Sequence, residues 1–181
     1  MELDGKVALV LGAIKGIGKG VGLALAAQGA GVALNYYDWE ESLPDLQQNF
    51  ADQSSPYLIL RTNLNETEAI KGLIRRVIDH FGRLDILINN IERGGWPIVH
   101  GPYVRQQWDL EIDTCLRAKR WVFEEALPHL KASGNGVVIN ISSIAGIVGR
   151  TGPAGPFFNE GYAAANRGIS LLTETWARVG A

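Results

Sequence analysis

The sequence predicts an α/β fold with a doubly wound parallel sheet and helices on both of its faces. Two observations predict it. Five short runs are almost continuously apolar rather than alternating, which is typical of strands buried on both faces. Amphipathic stretches of helical length separate these runs, and strands alternating with helices at this spacing form right-handed βαβ units.

The five apolar runs give the predicted strands in chain order. They cover residues 7–12, 31–37, 56–61, 84–90 and 136–142. Because no further strand follows the fifth run, we expect that strand at or near an edge of the sheet, where a long apolar edge invites aggregation. Either the natural chain continues or another surface covers this edge.

Helical periodicity is clearest between Ile70 and Phe81, where apolar residues recur on one face. Asn65 with Glu68 three residues later predicts a cap at the start of this helix, and Gly82 predicts its end. A long helix is predicted from about residue 105 to 131, and a last one from about 161 to 179.

The composition is that of a soluble globular protein and predicts one domain over residues 1–181. Apolar residues make up 46% and charged residues 20%, which excludes a disordered chain. A net charge of −2 without like-charge blocks gives no electrostatic signature of a nucleic-acid or membrane partner. One cysteine, and no run resembling a membrane span or signal peptide, predict a cytoplasmic protein.

A glycine-rich segment follows the first predicted strand directly. It places Gly12, Gly16 and Gly18 between that strand and the next helix. Glycines there let the backbone approach a pyrophosphate, and the helix N-terminus offers N–H groups and a positive dipole end. The alternative is a turn that only packs tightly. A Walker phosphate loop is excluded, because no Gly-Lys-Ser/Thr ends the run.

This Gly-x-x-x-Gly-x-Gly spacing and three later segments resemble the short-chain dehydrogenase/reductase family. Asn89-Asn90 resembles the family's Asn-Asn-Ala-Gly, residues 140–143 resemble its serine segment, and Tyr162 to Asn166 resembles its Tyr-x-x-x-Lys. The segments occur in the family's order along the whole chain. The resemblance implies a Rossmann-like fold and hydride transfer between a nicotinamide cofactor and a carbonyl or alcohol carbon.

The resemblance assigns catalytic roles to Ser143, Tyr162 and Asn166. Tyr162 gives or takes the proton, and Ser143 hydrogen-bonds the substrate oxygen. Asn166 stands where the family has a lysine that lowers the tyrosine pKa and holds the nicotinamide ribose. Lowering a tyrosine pKa by about three units requires roughly 4 kcal/mol, which a neutral amide cannot supply. Cys115, at the position of a family asparagine, is expected to be an inert core thiol.

The same resemblance predicts the cofactor. Tyr36 occupies the position of the acidic residue found in NAD-preferring members, and Lys15 matches the basic residue that binds the 2′-phosphate of NADP. Lys15 is otherwise a solvated loop lysine, and Asp38 would repel a phosphate, so NADP is preferred and NAD remains possible. The predicted cofactor-binding residues are Gly12, Lys15, Gly16, Ile17, Gly18, Tyr36, Asn63, Leu64, Asn89, Tyr162 and Asn166.

The sequence therefore predicts an NADP(H)-dependent oxidoreductase for a small carbonyl or alcohol substrate, with weakened acid–base chemistry and no metal. Reduction is expected to suffer less than oxidation, because a neutral tyrosine is the acid that donates a proton. The alternative is a dinucleotide-binding protein with little turnover, acting as a sensor or assembly partner. A third, an S-adenosylmethionine-dependent methyltransferase, leaves Ser143 and Tyr162 unexplained. Apolar residues around the long helix predict a homodimer or homotetramer.

Overall fold

A computed structural model of the chain describes residues 2–92, 104–149 and 159–180. The chain divides into two compact units. The first comprises residues 1–90 and 122–139, and the second comprises residues 91–121 and 140–181. The single domain predicted over residues 1–181 stays a prediction.

The first unit is built on a five-stranded parallel sheet with the order β3-β2-β1-β4-β5. The strands are β1 (Val7–Leu11), β2 (Gly31–Tyr36), β3 (Tyr57–Arg61), β4 (Ile86–Asn89) and β5 (Val137–Asn140). All residues of the central strand β1 are buried. With β1 in the middle, the connections leave in both directions, and right-handed crossovers then place helices on both faces of the sheet. The predicted fold class is confirmed.

The edge position predicted for the fifth strand is also confirmed. β5 ends the strand order and pairs with β4 alone in the described sheet. Val137 and Ile139, which share one face of β5, are each 46% exposed. This partial exposure contrasts with the complete burial of β1 and shows that the apolar run continues to the rim of the sheet.

The described residues form helices on either side of the glycine-rich, asparagine and tyrosine segments. They are α1 (Gly16–Ala27), α2 (Leu43–Ala51), α3 (Thr67–Phe81), α4 (Arg105–Ile112), α5 (Lys119–Ala132), α6 (Ala145–Val148) and α7 (Glu160–Gly180). A short 3-10 turn, Glu40–Ser42, precedes α2. Within the first unit, α1 packs on β1 and β2.

Helix α3 begins one residue later than the sequence predicts. The cap predicted from Asn65 and Glu68 is wrong, because Glu66 is the N-cap residue and no side chain caps it. Asn63 accepts a hydrogen bond from the Asn65 N–H at 3.1 Å, which extends the preceding turn. Glu68 instead accepts a bond from Lys71 at 2.7 Å. The predicted stop at Gly82 is confirmed, with a left-handed φ of 75° that glycine adopts readily.

The long helix predicted over residues 105–131 is interrupted. Between α4 and α5 the chain forms a π-helical segment, Asp113–Ala118, which contains the buried Cys115. Such wide turns occur frequently at functional sites, because the extra residue re-aims neighbouring side chains. Within the second unit, α7 packs on α4, on the π-helical segment and on α6. The predicted last helix is confirmed within one residue at each end.

Candidate active site

The glycine loop, residues 12–18, has a backbone that only glycine accommodates easily. Gly12 and Gly16 have φ values of 64° and 57°, in the left-handed region. A Cβ atom at Gly18 would lie 2.9 Å from the carbonyl carbon of Gly12 and 2.7 Å from Nδ2 of Asn90. Asn90 Nδ2 also donates to the Gly12 carbonyl oxygen at 3.1 Å. The loop is therefore braced from β4 and leaves no space for a side chain at Gly18.

Helix α1 begins at Gly16, immediately after this loop. The first-turn N–H groups of a helix have no intrahelical acceptor, and they lie at the positive end of its dipole. Ile17 in this turn is 64% exposed, so its backbone is at the surface. Together with the close-packed Gly18, the geometry fits the pyrophosphate of a dinucleotide.

Lys15, the residue before α1, contacts an aromatic ring that the sequence did not predict. Its Nζ lies 2.9 Å from the centroid of the Trp39 ring. Trp39 has a left-handed backbone with φ of 65°, which costs a non-glycine residue on the order of 1 kcal/mol. A cation–π contact orients the ammonium without neutralising it. By contrast, the guanidinium of Arg61 pairs with the carboxylate of Glu40 at 2.7 Å.

The other predicted cofactor residues of the first unit lie at or just beyond strand ends. Tyr36 ends β2 and is 8% exposed, whereas Asn89 ends β4 and is fully buried. Leu64 is buried, and the neighbouring Asn63 donates to Glu66 Oε1 at 2.8 Å. The Asn63 side chain thus takes part in a local turn. Its predicted adenine contact stays a prediction.

Tyr162 lies in the first turn of α7, in the second unit, and its side chain is buried. Its hydroxyl donates a hydrogen bond to Oε2 of Glu92 at 2.9 Å. Burial raises the pKa of Tyr162 well above its ordinary value, and the nearby Glu92 carboxylate raises it further, against the opposite effect of a hydrogen bond with Ser143. Tyr162 is therefore protonated at neutral pH.

The buried carboxylate of Glu111 fixes the start of α7. Its Oε2 accepts from the Tyr162 backbone N–H at 3.1 Å, and its Oε1 accepts from Asn159 at 2.6 Å and Gln107 at 2.9 Å. The Tyr162 N–H is one of the helix N-terminal donors without an intrahelical partner. A carboxylate is also favoured at this end of the helix dipole. Glu111 therefore acts as a distant cap that sets the position of Tyr162.

Ser143 and Cys115 both surround Tyr162. Ser143 follows β5 and accepts a bond from the Ala145 N–H at 3.2 Å. Cys115 is fully buried and packs in one cluster with Ala145, Tyr162 and Ala165. The structure thus brings Ser143 and Tyr162 together, as predicted, and places the thiol in the apolar wall beneath the tyrosine.

Asn166 is fully buried one turn after Tyr162. Its Nδ2 donates to the Tyr162 carbonyl oxygen at 3.0 Å, whereas its Oδ1 has no hydrogen-bond partner among the described residues. A buried acceptor without a donor costs free energy, and a ligand hydroxyl would remove that cost. Helix α6 approaches closely here, because a Cβ atom at Gly146 would lie 3.0 Å from the Asn166 Cβ atom.

Lys119, the first residue of α5, is a fully buried cation that the sequence analysis did not single out. Its Nζ donates to the Ile141 carbonyl oxygen at 2.8 Å. Burial lowers the pKa of Lys119, and the charges of Cys115 and Glu92 oppose this effect. Lys119 follows Cys115 by one helical turn, a spacing that puts both on one helix face.

Glu92, Glu111 and Lys119 are the site residues that sequence reasoning missed. Glu92 was noted only as a departure from the family's glycine. A signal existed for Glu111 and Lys119, because they lie one turn before and one turn after Cys115 on the face that packs inward. The Phe157-Phe158 segment, expected to form a loop over the substrate, lies outside the described residues.

The sheet order, the glycine loop and the pairing of Ser143 with Tyr162 define a dinucleotide-binding α/β protein of the oxidoreductase class. The chain belongs to the short chain dehydrogenase family, whose sequence profile matches residues 6–181. The resemblance inferred from the sequence is thereby confirmed.

Several known proteins are similar to this chain. The 3-oxoacyl-[acyl-carrier-protein] reductase FabG of Staphylococcus aureus is 33% identical over 175 residues, which cover 96% of this chain and 68% of FabG. The structure of NAD+-bound xylitol dehydrogenase has a TM-score of 0.87 and 25% identity, covering 99% of this chain and 66% of that one. A metagenomic short-chain oxidoreductase in complex with NADP has a TM-score of 0.84 and 28% identity, covering 98% and 77%. The chain thus spans about two thirds of the length of the first two of these proteins.

The described residues contain no helix long and apolar enough to cross a membrane. Within the same ranges, no three His, Cys, Asp or Glu side chains are grouped so that they could hold a metal ion.

The close packing at Gly18 predicts the effect of a single methyl group. Gly18→Ala should displace the loop from Gly12 and raise the dissociation constant for NADPH by at least about tenfold, or ~1.4 kcal/mol. Gly20→Ala is the matched control in the same helix, because no atom lies within 4 Å of a Cβ there. Fluorescence titration of both folded variants measures the effect. Equal affinities would show that the loop does not contact the cofactor.

The role of Glu111 predicts a loss of stability. Glu111→Ala leaves three donors without their acceptor and should lower the free energy of unfolding by about 3 kcal/mol. Glu68→Ala removes only an exposed ion pair and should change it by less than about 0.5 kcal/mol. Urea unfolding followed by circular dichroism compares the two. A Glu111 effect as small as that of Glu68 would contradict the proposed cap.

Proposed function

We propose that this chain is a cytoplasmic NADP(H)-dependent oxidoreductase that interconverts a small ketone and its alcohol. The observation that carries the proposal is the buried Tyr162 hydroxyl beside Ser143. In the family, this pair handles the substrate oxygen. The nearest printed activities, reduction of a 3-oxoacyl group and dehydrogenation of xylitol, both interconvert a carbonyl and an alcohol.

Three features of the structure fit a nicotinamide dinucleotide. Gly18 leaves a cradle that a Cβ atom would fill, and the α1 N-terminus favours phosphate. Asn166 offers a buried acceptor for a ribose hydroxyl, in place of the family's lysine. When bound, the nicotinamide supplies the hydride chemistry, and the protein supplies position and the proton.

The proton chemistry follows from the state of Tyr162. Because its pKa lies well above the ordinary value, Tyr162 keeps its proton at neutral pH. A neutral phenol can donate its proton to a carbonyl oxygen as that oxygen gains negative charge. Ser143 can hydrogen-bond the same oxygen and orient it. This state suits ketone reduction directly, as the sequence analysis expected.

A direct assay tests the function. We expect the protein to oxidise NADPH in the presence of ethyl 3-oxobutanoate, a small 3-oxo ester. Tyr162→Phe removes the proton donor while retaining the ring, and should lower kcat by at least about a hundredfold. Affinity for NADPH, measured by fluorescence, should stay unchanged. Equal turnover by the two proteins would contradict the role of Tyr162.

Lys15 supports NADP as the preferred cofactor. Its ammonium contacts the uncharged ring of Trp39, so its charge remains available to a 2′-phosphate. Lys15→Ala should weaken NADPH binding by about tenfold to a hundredfold, the range of a charge-assisted hydrogen bond, and change NADH binding little. Lys71→Ala, which removes a surface lysine of α3, is the control. Equal weakening of both cofactors would show that Lys15 does not bind the 2′-phosphate.

A dinucleotide-binding protein with little turnover is the second candidate function. The observation that favours it is the hydrogen bond from the Tyr162 hydroxyl to Glu92, which occupies the proton that catalysis needs. Such a protein would bind NADPH with full affinity and leave ketones unreduced. The same assay separates the two functions, because it measures cofactor binding and turnover on one sample.

We also propose a homodimer or homotetramer. Trp108 on α4 and Trp121 on α5 are 38% and 37% exposed, which is unusual for large aromatic residues on a monomer surface. A second copy that covers them would bury this apolar area, and sedimentation at micromolar concentration checks the state.

A further inference from the structure

The second unit contains a buried cation for which the family's catalytic pattern has no place. Lys119 is fully buried, and its Nζ makes one hydrogen bond to a described residue, the carbonyl of Ile141 at 2.8 Å. An ammonium has three N–H donors, and burying it is costly unless an anion compensates. The position of Lys119 therefore requires a nearby negative charge.

Glu92 supplies that charge. The Lys119 ammonium lowers the pKa of the Glu92 carboxyl, and the Glu92 carboxylate raises the pKa of Lys119, in each case against the larger effect of burial. Cys115 is the other titratable group that acts on Lys119, and it packs directly against Tyr162. Lys119, Glu92 and Tyr162 thus form one electrostatic group, which we call the Lys–Glu–Tyr group.

The hydrogen bond between Tyr162 and Glu92 gives this group a direction. Tyr162 donates and Glu92 accepts, over 2.9 Å, in a part-buried setting. A protonated tyrosine is not a base by itself. It can nevertheless take a proton from a substrate alcohol if it passes its own proton to Glu92 in the same step.

We propose that Glu92 is the proton acceptor for alcohol oxidation, reached through Tyr162, and that Lys119 is the cation that keeps Glu92 ionised. The proposal rests on the proposed function and deepens it. The substrate O–H bond breaks and its proton binds Oη of Tyr162, while the Tyr162 O–H bond breaks and its proton binds Oε2 of Glu92. The carbinol carbon gives its hydride to the oxidised nicotinamide, which is the oxidant of the proposed function. In ketone reduction the two protons move in the opposite direction.

This arrangement replaces the missing lysine by a different route. In the family's pattern the cation lies one turn after the tyrosine and stabilises a tyrosinate. In this chain position 166 is neutral, and the cation is at position 119, where it acts on Glu92. Lys119 is therefore a positioning residue, whereas Glu92 exchanges a proton with the reacting tyrosine. Because Glu92 is exposed as a residue, its proton can pass to water after the step.

The first test measures the charge of Glu92 without turnover. Infrared titration of the protein detects the protonated carboxyl band, and the band that Glu92→Gln removes is assigned to Glu92. In Lys119→Met we expect this titration to shift to higher pH by about one unit, as for the loss of an opposite charge nearby. Lys119→Arg should keep the wild-type position. An unshifted titration in Lys119→Met would overturn the role of Lys119. Lys131→Met, at an exposed position of α5, controls for the loss of any lysine.

The second test measures oxidation of ethyl 3-hydroxybutanoate against pH. We expect Glu92→Gln to lower kcat by about a hundredfold with unchanged NADPH affinity, the size of a lost general base. In Lys119→Met the acid limb of the kcat profile should move to higher pH together with the infrared titration, with little change in KM. Wild-type oxidation rates in Glu92→Gln at every pH would overturn the proposal. Absence of turnover in the wild type would instead reject the proposed function, while the infrared titration still decides whether Lys119 sets the charge of Glu92.

Discussion

The buried carboxylate of Glu111 is the interaction on which the second unit depends. It accepts from the Tyr162 N–H and from Asn159 and Gln107, so it connects the start of α7 to α4. This bond fixes the first turn of α7, and Tyr162 is held at a defined height above Cys115 and Ala145. A tyrosine set in this way can present one hydroxyl to both Ser143 and Glu92. The acid–base chemistry that we propose requires this rigidity, because proton transfer depends on short, aligned hydrogen bonds.

Charge compensation explains why the site differs from the pattern of its family without becoming an unpaired hydrophobic core. Asn166 removes a cation and Lys119 places one on another helix, while Glu92 introduces an anion in contact with Tyr162. Each change alone would leave a buried charge or an unsatisfied donor, which costs several kcal/mol. Together they form a group in which the tyrosine stays neutral. The proton then has a defined acceptor other than solvent.

The fold and the polar landmarks of the site could be predicted from the sequence, because they depend on local patterns. Buried strands appear as apolar runs, and the glycine loop has a fixed place after β1. Glu92, Lys119 and Glu111 could not be predicted, because their roles depend on contacts between residues far apart in sequence; the Tyr162–Glu92 bond joins positions 70 residues apart. The cap of α3 failed for a related reason, since Asn63 forms a competing turn. Trp39, with its left-handed backbone, carried no sequence signal for its contact with Lys15.

The central claim is that Tyr162 is a neutral proton carrier rather than a tyrosinate. Ultraviolet difference titration of the wild type against Tyr162→Phe measures its ionisation directly, because only the wild type contains this phenol. The structure predicts no ionisation of Tyr162 below about pH 10, the ordinary tyrosine value, since burial and the Glu92 carboxylate both oppose the anion. A tyrosinate that forms near pH 7 would contradict this account, because it would show that another group stabilises the anion as the family's lysine does.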